Sequence, residues 1–284
     1  MLDWLADPLM YGFMQRGLAA SMMVGILCSV IGCYVVLRSM AFLGDALAHA
    51  ILPGVAIAYL VGANLLFGAL IAAILVALGI GFFSRQGILR EDTAIGILFA
   101  AALSLGVVLI SSIKTYAVDL THILFGNILG VSGSDLWLTG FLTLFVLVTI
   151  ILLYKEFLVI TFDPVLAATL RFPVQLLHNM MLILLSLTVV VSLQTVGVGL
   201  VVAMLVTPGA TAYLITRRLP TMMITSAVIG IVSSVSGLYI SYYANVASGA
   251  AIVLTATAIF LLVFLLAPQR GTVWQRLRTR QSTL

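Results

Sequence analysis

Long apolar stretches without a charged residue dominate the pattern of hydrophobic and polar positions along the chain. Three of them, Ala46–Ser84, Phe172–Thr216 and Leu219–Gln269, contain no Asp, Glu, Lys or Arg and are too long for one membrane crossing. A helix needs about 20 apolar residues to cross the ~30 Å hydrocarbon core of a bilayer, where helices satisfy the backbone hydrogen bonds internally. The pattern therefore predicts an all-α integral membrane protein in which each of these stretches turns back once.

Turn-forming residues divide the long stretches, and shorter stretches supply the other helices. We expect breaks in the three long stretches at 62–64, 194–199 and 242–249. Single helices are predicted for three shorter apolar stretches, Gly17–Leu37, Thr93–Ile113 and Leu136–Tyr154. These assignments give about nine spans, from the ~20 residues that each one needs. The apolar run Leu120–Ser134 is short and interrupted by glycines, so we interpret it as a re-entrant or interfacial helix.

Composition and charge agree with a membrane protein and set its expected orientation. Hydrophobic residues make up 63% of the chain and charged residues only 8%, too few to cover a water-facing surface. With the N-terminus outside, the threaded helices place every Lys and Arg except Arg16 and Lys114 on the cytoplasmic side, in agreement with the positive-inside rule. The net charge of +4 is then explained by anchoring to anionic lipid, and no nucleic acid is expected as a partner.

The strongest functional candidate is a pair of ionisable side chains inside a predicted span. Asp45 and His49 lie four residues apart, so a helix places carboxylate and imidazole on one face. Pro53 lacks the N–H that would bond the His49 carbonyl, which predicts a kink at Pro53 and Gly54 beside the pair. Carboxylate, imidazole and carbonyl groups suit a divalent first-row transition metal. Two alternatives remain open: a hydrogen-bonded pair at a helix packing contact, or an Asp that caps the helix.

Small residues and a second proline indicate where helices pack or bend. A stripe of small residues beside the pair would let another helix approach closely, so the pair is predicted to face protein. The stripe consists of Ala46, Ala50, Gly54 and Ala58. A second discontinuity is expected where Pro208 frees the Met204 carbonyl, and Gly209 follows it. Such breaks often line transport pathways, although a plain kink in a helix bundle is commoner. The candidate pathway hinges are the two Pro-Gly pairs, Pro53, Gly54, Pro208 and Gly209.

One internal loop on the predicted cytoplasmic side carries its own helix signals. Asp163 is a suitable N-cap and Pro164 a suitable first helical residue, and Phe172 with Pro173 ends the segment. Such a helix either lies on the lipid surface or is gripped by another protein. The sequence has no G-x-x-x-x-G-K-[ST] phosphate loop. The chain is therefore not expected to hydrolyse ATP by that mechanism, and no catalytic or cofactor-binding residue is assigned.

The other ionisable residues near helix ends are interpreted as capping or solvated groups. His178 lies near the start of a helix and is expected to cap it or to snorkel. A polar group on the predicted outer side is expected to be mostly solvated, with the lining of a mouth as the alternative. Its members are Lys114, Asp119, His122, Asn127 and Asp135.

Four segments carry a resemblance to a known family. They are Ser39–Gly54 with its Gly-Asp-Ala-Leu-Ala-His-Ala-Ile-Leu-Pro-Gly core, Leu124–Ser132, Phe162–Pro164 and Val206–Ala210. Together they resemble the membrane permease subunits of manganese/zinc/iron ABC importers, and the likeness runs from about Pro8 to Pro268. The resemblance implies the ABC importer permease fold and a location in the bacterial plasma membrane. It also implies a homodimer, two ATPase subunits on a cytoplasmic coupling helix, and an extracytoplasmic metal-binding protein.

The resemblance also assigns roles to individual residues. The metal ligands of the family's pathway carry over onto Asp45 and His49. The segment 163–171 corresponds to the coupling helix that contacts the ATPase. Its assigned residues are Asp163, Pro164, Val165, Leu166 and Arg171. Arg171 stands where a glycine that closes the coupling helix is expected, so the contact with the ATPase can differ there.

Our working hypothesis is the permease of an ATP-driven importer of divalent transition metals. Manganese is the expected cargo, and zinc and iron remain open because one Asp–His pair does not choose among them. No permanently bound cofactor is expected. The alternative is a secondary transporter or channel in which Asp45 and His49 relay protons. A scaffolding membrane protein without transport is disfavoured by the Asp–His pair inside a span. We expect a membrane domain over residues 1–268 and a basic cytoplasmic tail over 269–284.

Overall fold

The structure, a computed structural model, describes residues 7–85, 90–112 and 128–266. Within these ranges the chain forms helices and turns, with no β-strand. Short 3-10 helices cover Asp7–Met10 and Ile128–Gly130. The α-helices in chain order are α1 Gly12–Leu37, α2 Ala41–Ala50, α3 Leu52–Val61, α4 Leu65–Arg85, α5 Glu91–Ser111, α6 Gly133–Leu152, α7 Tyr154–Phe162, α8 Pro164–Thr169, α9 Val174–Val196, α10 Val198–Ile215, α11 Leu219–Ala244 and α12 Ser248–Leu266.

The number of crossings agrees with the sequence pattern. In the described part of the chain, nine helical segments are long and apolar enough to span a bilayer, counting α2 and α3 as one. The three predicted breaks inside the long apolar stretches are confirmed. Each coincides with a residue of positive φ: Gly62 at 71°, Gly197 at 84° and Asn245 at 52°. A residue with positive φ turns the chain out of the helix, and glycine and asparagine adopt this conformation more readily than other residues.

Three features differ from the sequence expectation or lie outside the described residues. The chain forms an additional helix, α7, directly after α6. Proline lies inside α10 at Pro208 without ending the helix, so the discontinuity expected there is a continuous helix. Residues 120–127 of the proposed re-entrant segment Leu120–Ser134, and the whole of the proposed tail, lie outside the described residues. The described part of that segment, residues 128–134, contains the 3-10 helix Ile128–Gly130 and the first residues of α6, which begins at Gly133.

The described residues group into two compact units. The first consists of 7–36, 128–140 and 199–266. Here a Cβ added to Gly32 would lie 1.8 Å from the Leu205 carbonyl oxygen, so α1 and α10 touch along their backbones. A hydrogen bond also joins α11 to α1: the Ser226 hydroxyl on α11 donates to the main-chain carbonyl of Ser29 on α1, at 3.0 Å. Small residues and hydroxyl bonds replace the hydrophobic effect as the force between helices in lipid.

The second unit consists of 37–85, 90–112 and 141–198. In it α2 packs on α4, α5 and α9, and α3 packs on α4 and α5. The closest approach is between α3 and α4, where a Cβ added to Gly54 would lie 2.1 Å from the Gly68 carbonyl oxygen. Ala58 and Ala72 flank this contact. The small-residue stripe therefore does receive a neighbouring helix, as the spacing predicted. This unit holds Asp45, His49 and α8.

Candidate metal site

Asp45 and His49 face each other one turn apart on α2. The Nδ1 atom of His49 lies 3.0 Å from the main-chain carbonyl oxygen of Asp45 and 3.4 Å from its carboxylate Oδ1. A carbonyl oxygen can only accept a hydrogen bond, so Nδ1 carries the hydrogen and donates it. In the neutral imidazole, Nε2 then has the lone pair. Neutral imidazole with one nitrogen fixed by a hydrogen bond and the other open is the usual form of a metal ligand.

The pair is partly accessible although most of its helix is not. The side chains of Asp45 and His49 are 43% and 29% exposed in the single chain, whereas their neighbours Ala46, Leu47 and Ala48 are buried. The His49 ring also meets the edge of Phe99 on α5, with centroids 5.7 Å apart and planes at 83°, which restricts the ring's rotation. A held imidazole and an adjacent carboxylate are thus presented at an open face.

The helix-capping alternative for Asp45 is wrong. The residue before α2 is Met40, which makes no side-chain capping bond, and Asp45 is the fifth residue of the helix. Its carboxylate oxygens are therefore available to other partners, and His49 Nδ1 lies 3.4 Å from Oδ1.

The described residues supply only part of a coordination sphere at this pair. Among them, no group of three or more His, Cys, Asp or Glu side chains is close enough to hold a metal ion. First-row divalent ions take about four to six donors. An ion at Asp45 and His49 therefore needs further donors besides these two side chains.

The helix interruption predicted beside the pair is present. The helical segment is divided at Ile51, between α2 and α3, and Pro53 lies in the first turn of α3. Leu52 and Pro53 pack on α5, where a Cβ added to Gly106 would lie 2.7 Å from Leu52 Cβ. The start of α3 is thus held against two helices, α4 through Gly54 and α5 through Gly106. The role of Pro53 and Gly54 as pathway hinges stays a prediction, as does that of Pro208 and Gly209. Gly209 itself packs against Gly32.

Helix α8 has the start that its sequence predicted. Oδ1 of Asp163 accepts hydrogen bonds from the backbone N–H groups of Val165, at 3.0 Å, and Leu166, at 2.9 Å. Pro164 occupies the first turn, where its missing N–H costs nothing. The side chains of Val165 and Leu166 are 73% and 48% exposed. A capped six-residue helix therefore presents two apolar side chains outward.

Arg171 closes α8 in a conformation that favours glycine. Its φ is +60°, its N–H donates to the Ala168 carbonyl, and the next N–H, from Phe172, donates to the Ala167 carbonyl. This pair of bonds is the Schellman motif, whose left-handed position is usually occupied by glycine. Arg171, which replaces the glycine expected from the family resemblance, thus lies at the one position of the loop where a side chain causes backbone strain.

A second polar cluster, which the sequence analysis missed, joins Arg38, Glu91 and His178. Nη1 of Arg38 lies 2.7 Å from His178 Nδ1, and His178 Nε2 lies 3.4 Å from Glu91 Oε1. Burial lowers the pKa of the Arg38 guanidinium, and the Glu91 carboxylate opposes that shift. His178 was interpreted as a capping or snorkelling group, but it is enclosed by two charged partners. No local signal marks the cluster, because its members come from three distant parts of the chain.

The polar group on the predicted outer side is only partly described. Lys114, Asp119, His122 and Asn127 lie outside the described residues. Asp135 accepts a hydrogen bond from the Ser132 hydroxyl at 2.6 Å and from the Ser132 N–H at 3.2 Å. The Ser132 hydroxyl in turn accepts from the Asp135 N–H. This reciprocal pair starts α6 as a capping box.

Comparison with known proteins decides the family. A model of the ABC 3 transport family matches residues 10–267 of the chain. The chain belongs to this family. The chain is similar to the manganese transport system membrane protein MntC of Halalkalibacterium halodurans, 51% identical over 99% of this chain and 97% of that protein. It is also similar to a probable iron transport system membrane protein of Haemophilus influenzae, 40% identical over 92% of this chain and 96% of that protein.

A solved structure supports the same assignment. PsaBC from Streptococcus pneumoniae in complex with Fab is similar with a TM-score of 0.83 and 40% identity, covering 94% of this chain and 96% of that chain. The protein is thus a membrane permease of the manganese/zinc/iron ABC importer family. It is a multi-pass protein of the bacterial plasma membrane. Like other permeases of the family it is not itself an enzyme, because ATP is hydrolysed by a separate partner subunit.

Proposed function

We propose that this permease conducts Mn²⁺ into the cytoplasm and that Asp45 and His49 are transient ligands along its path. The observation that carries the proposal is the hydrogen bond from His49 Nδ1 to the Asp45 carbonyl, which leaves Nε2 open, while the partly exposed Asp45 carboxylate lies 3.4 Å from Nδ1. Two side chains from each copy replace only part of an ion's hydration shell, which favours passage over storage because a tightly held ion leaves slowly.

Manganese is proposed over zinc and iron. The relative with 51% identity is named for manganese transport, whereas the relative named for iron is 40% identical. The donor types agree, since carboxylate oxygen suits Mn²⁺ and the pair contains no thiolate. The two cysteines, Cys28 and Cys33, are buried on α1. Iron and zinc are the alternative cargoes that a transport experiment has to compare with manganese.

We propose further that the working unit is a homodimer with partners on both sides of the membrane. Asp45 and His49 from two copies, related by a two-fold axis, would supply up to four donors to one ion. The exposed apolar side chains of Val165 and Leu166 support α8 as the contact for an ATPase subunit. The N-terminus is assigned to the outside, which puts α8 in the cytoplasm and leaves the opposite face for a metal-delivering binding protein.

Uptake of Mn²⁺ by cells that lack other manganese importers tests the proposal. Asp45→Asn removes the charge at constant shape, and His49→Phe removes the nitrogen donors; each is expected to reduce ATP-dependent uptake at least about tenfold, as loss of a ligand or its orienting partner typically does. Asp92→Asn is the matched control, because Asp92 is an exposed carboxylate in the first turn of α5. Normal uptake by either site variant would exclude that residue as a ligand. Uptake driven by an ion gradient and unaffected by ATP depletion would establish the secondary transporter instead.

A further inference from the structure

Arg38 contacts two helices of the second unit that are far from it in sequence, and one of these contacts continues to a third helix. It precedes α2 by three residues. Its Nη1 lies 2.7 Å from His178 Nδ1 on α9, and its Nη2 donates to the main-chain carbonyl of Ile160 on α7, 3.4 Å away. Glu91, the first residue of α5, lies 3.4 Å from the other nitrogen of His178. These side chains connect the ends of α7, α9 and α5 with the start of α2.

The bond to Ile160 exists because of the proline that starts α8. In a continuing helix, the Ile160 carbonyl would accept from the N–H four residues later, but that residue is Pro164, which has none. Arg38 supplies the missing donor. A cation at the C-terminal end of a helix is also favoured by the helix dipole. The guanidinium therefore holds the end of α7 directly before Asp163, the N-cap of α8.

The protonation pattern of the cluster follows from its geometry. Arginine only donates hydrogen bonds, so Nδ1 of His178 accepts and its Nε2 carries the hydrogen. The Glu91 carboxylate oxygen Oε1 lies 3.4 Å from Nε2, too long for a good hydrogen bond. In the described part of the chain neither His178 Nε2 nor Glu91 Oε1 has a hydrogen-bonding partner of good geometry. A small displacement of α9 relative to α5 would thus strengthen this contact.

Two helices lead from this cluster toward the Asp45–His49 pair. The first is α2, which starts at Ala41 after the turn at Arg38 and Ser39 and contains both residues of the pair. The second is α5, where Phe99 lies eight residues after Glu91, about 12 Å along the axis at 1.5 Å per residue. The Phe99 ring packs nearly at right angles to the His49 ring, with centroids 5.7 Å apart. A displacement of the Arg38 cluster would therefore act on the pair through α2 and on His49 through Phe99.

We propose that Arg38, Glu91 and His178 are positioning residues that couple movement of α8 to the geometry of the Asp45–His49 pair. This role rests on the proposed function of α8 as the ATPase contact. The cluster is not a second cation site, because the guanidinium at its centre repels a metal ion. Its function is to join the segment that receives ATP-driven movement to α2, which holds both ligands, and to α5, which holds Phe99.

The test measures the number of Mn²⁺ ions taken up per ATP hydrolysed. The permease is reconstituted in vesicles with the ATPase subunit that copurifies with it and with its Mn²⁺-loaded binding protein. Arg38→Met removes every donor at similar length and is expected to lower this ratio about tenfold, within the range of coupling between linked sites. Arg38→Lys keeps the charge but not the two-pronged geometry, so it should restore part of the ratio. Arg90→Met is the matched control, since Arg90 is exposed and directly precedes Glu91.

The outcomes separate positioning from stability. If Arg38, Glu91 and His178 act together, Arg38→Met combined with Glu91→Gln should lower the ratio no further than Arg38→Met alone. Reduced complex yield with an unchanged ratio in Arg38→Met would overturn the proposal. If the Arg38→Met permease does not assemble, the Glu91→Gln variant is measured instead. A normal number of Mn²⁺ ions per ATP in Glu91→Gln would then overturn the proposal. Failure of the wild-type complex to couple uptake to ATP would instead refute the proposed function.

Discussion

The imidazole of His49 donates its Nδ1 hydrogen to the main-chain carbonyl of Asp45, one helical turn earlier and 3.0 Å away. A hydrogen bond of this kind within a helix fixes the tautomer and leaves Nε2 open, and the Asp45 carboxylate lies 3.4 Å from Nδ1. In His178 the contacts are reversed: Nδ1 accepts from Arg38 at 2.7 Å, so Nε2 carries the hydrogen. His49 and His178 are thus expected in opposite tautomers.

Nitrogen NMR of ¹⁵N-histidine-labelled permease can check this difference. Zn²⁺, a diamagnetic probe, should shift the Nε2 signal of His49 and leave its Nδ1 protonated, because only Nε2 has a lone pair to donate. His49→Phe identifies the signal by removing it, and the His178 signals serve as the internal control. A Zn²⁺-induced shift at His49 Nδ1 would contradict the assigned geometry.

Charging the exposed face of α8 is expected to separate the permease from its ATPase. Val165→Asp with Leu166→Asp places two carboxylates on side chains that are 73% and 48% exposed, so folding should be little affected while an apolar contact is lost. Copurification of the ATPase should fall below detection, with normal membrane insertion. Val246→Asp is a suitable control, because Val246 is an exposed apolar residue between α11 and α12. Retention of the ATPase by the double variant would refute the coupling assignment.

Replacing Arg171 should stabilise the end of α8 if glycine is introduced, but not if alanine is. The left-handed conformation, with φ at +60°, costs a residue with a Cβ about 1 kcal/mol and costs glycine almost nothing. Arg171→Gly should therefore slow amide exchange at Arg171 and Phe172 about fivefold, the factor that corresponds to about 1 kcal/mol. Arg171→Ala loses the charge and keeps the strain, so equal slowing by both would show that backbone conformation is not the cause.

The close contact between α3 and α4 should tolerate no side chain at Gly54. Gly54→Ala would place Cβ 2.1 Å from the Gly68 carbonyl oxygen, which forces the helices apart at a cost of about 1–3 kcal/mol. Gly96→Ala is the control, since Gly96 on α5 has no neighbouring atom within 4 Å of an added Cβ and alanine is the better helix former. Thermal unfolding in detergent should show a lower midpoint for Gly54→Ala only. Equal midpoints would mean that the contact adjusts freely.

Labelling of single cysteines can test the proposed orientation. A membrane-impermeant thiol reagent applied outside should modify Val246→Cys, between α11 and α12, and should not modify Phe162→Cys at the end of α7, because nine spans from an outer N-terminus place these positions on opposite sides. Both side chains are exposed, and Cys28 and Cys33 are buried. The reverse labelling pattern would invert the topology.

The sequence by itself determined the membrane class, the number of spans and most helix ends. These properties depend on local chemistry. The length of a charge-free run decides whether it can cross the bilayer, and the helix breaks lie at Gly62, Gly197 and Asn245 because of their own backbone conformation. The cap that Asp163 provides for α8 is likewise decided by bonds to residues two and three positions later. The spacing of Asp45 and His49 predicted their common face for the same reason.

Only the tertiary structure decided which distant residues meet. Arg38, Glu91 and His178 each look like an ordinary charge near a helix end, and their contact depends on how α5, α7 and α9 pack around the start of α2. The backbone contact of Gly54 with Gly68 and the restriction of His49 by Phe99 also require the packed bundle. Sequence periodicity predicts which face of its own helix a residue occupies. Its partner on the neighbouring helix depends on how whole helices pack, and every side chain at the contact contributes to that packing.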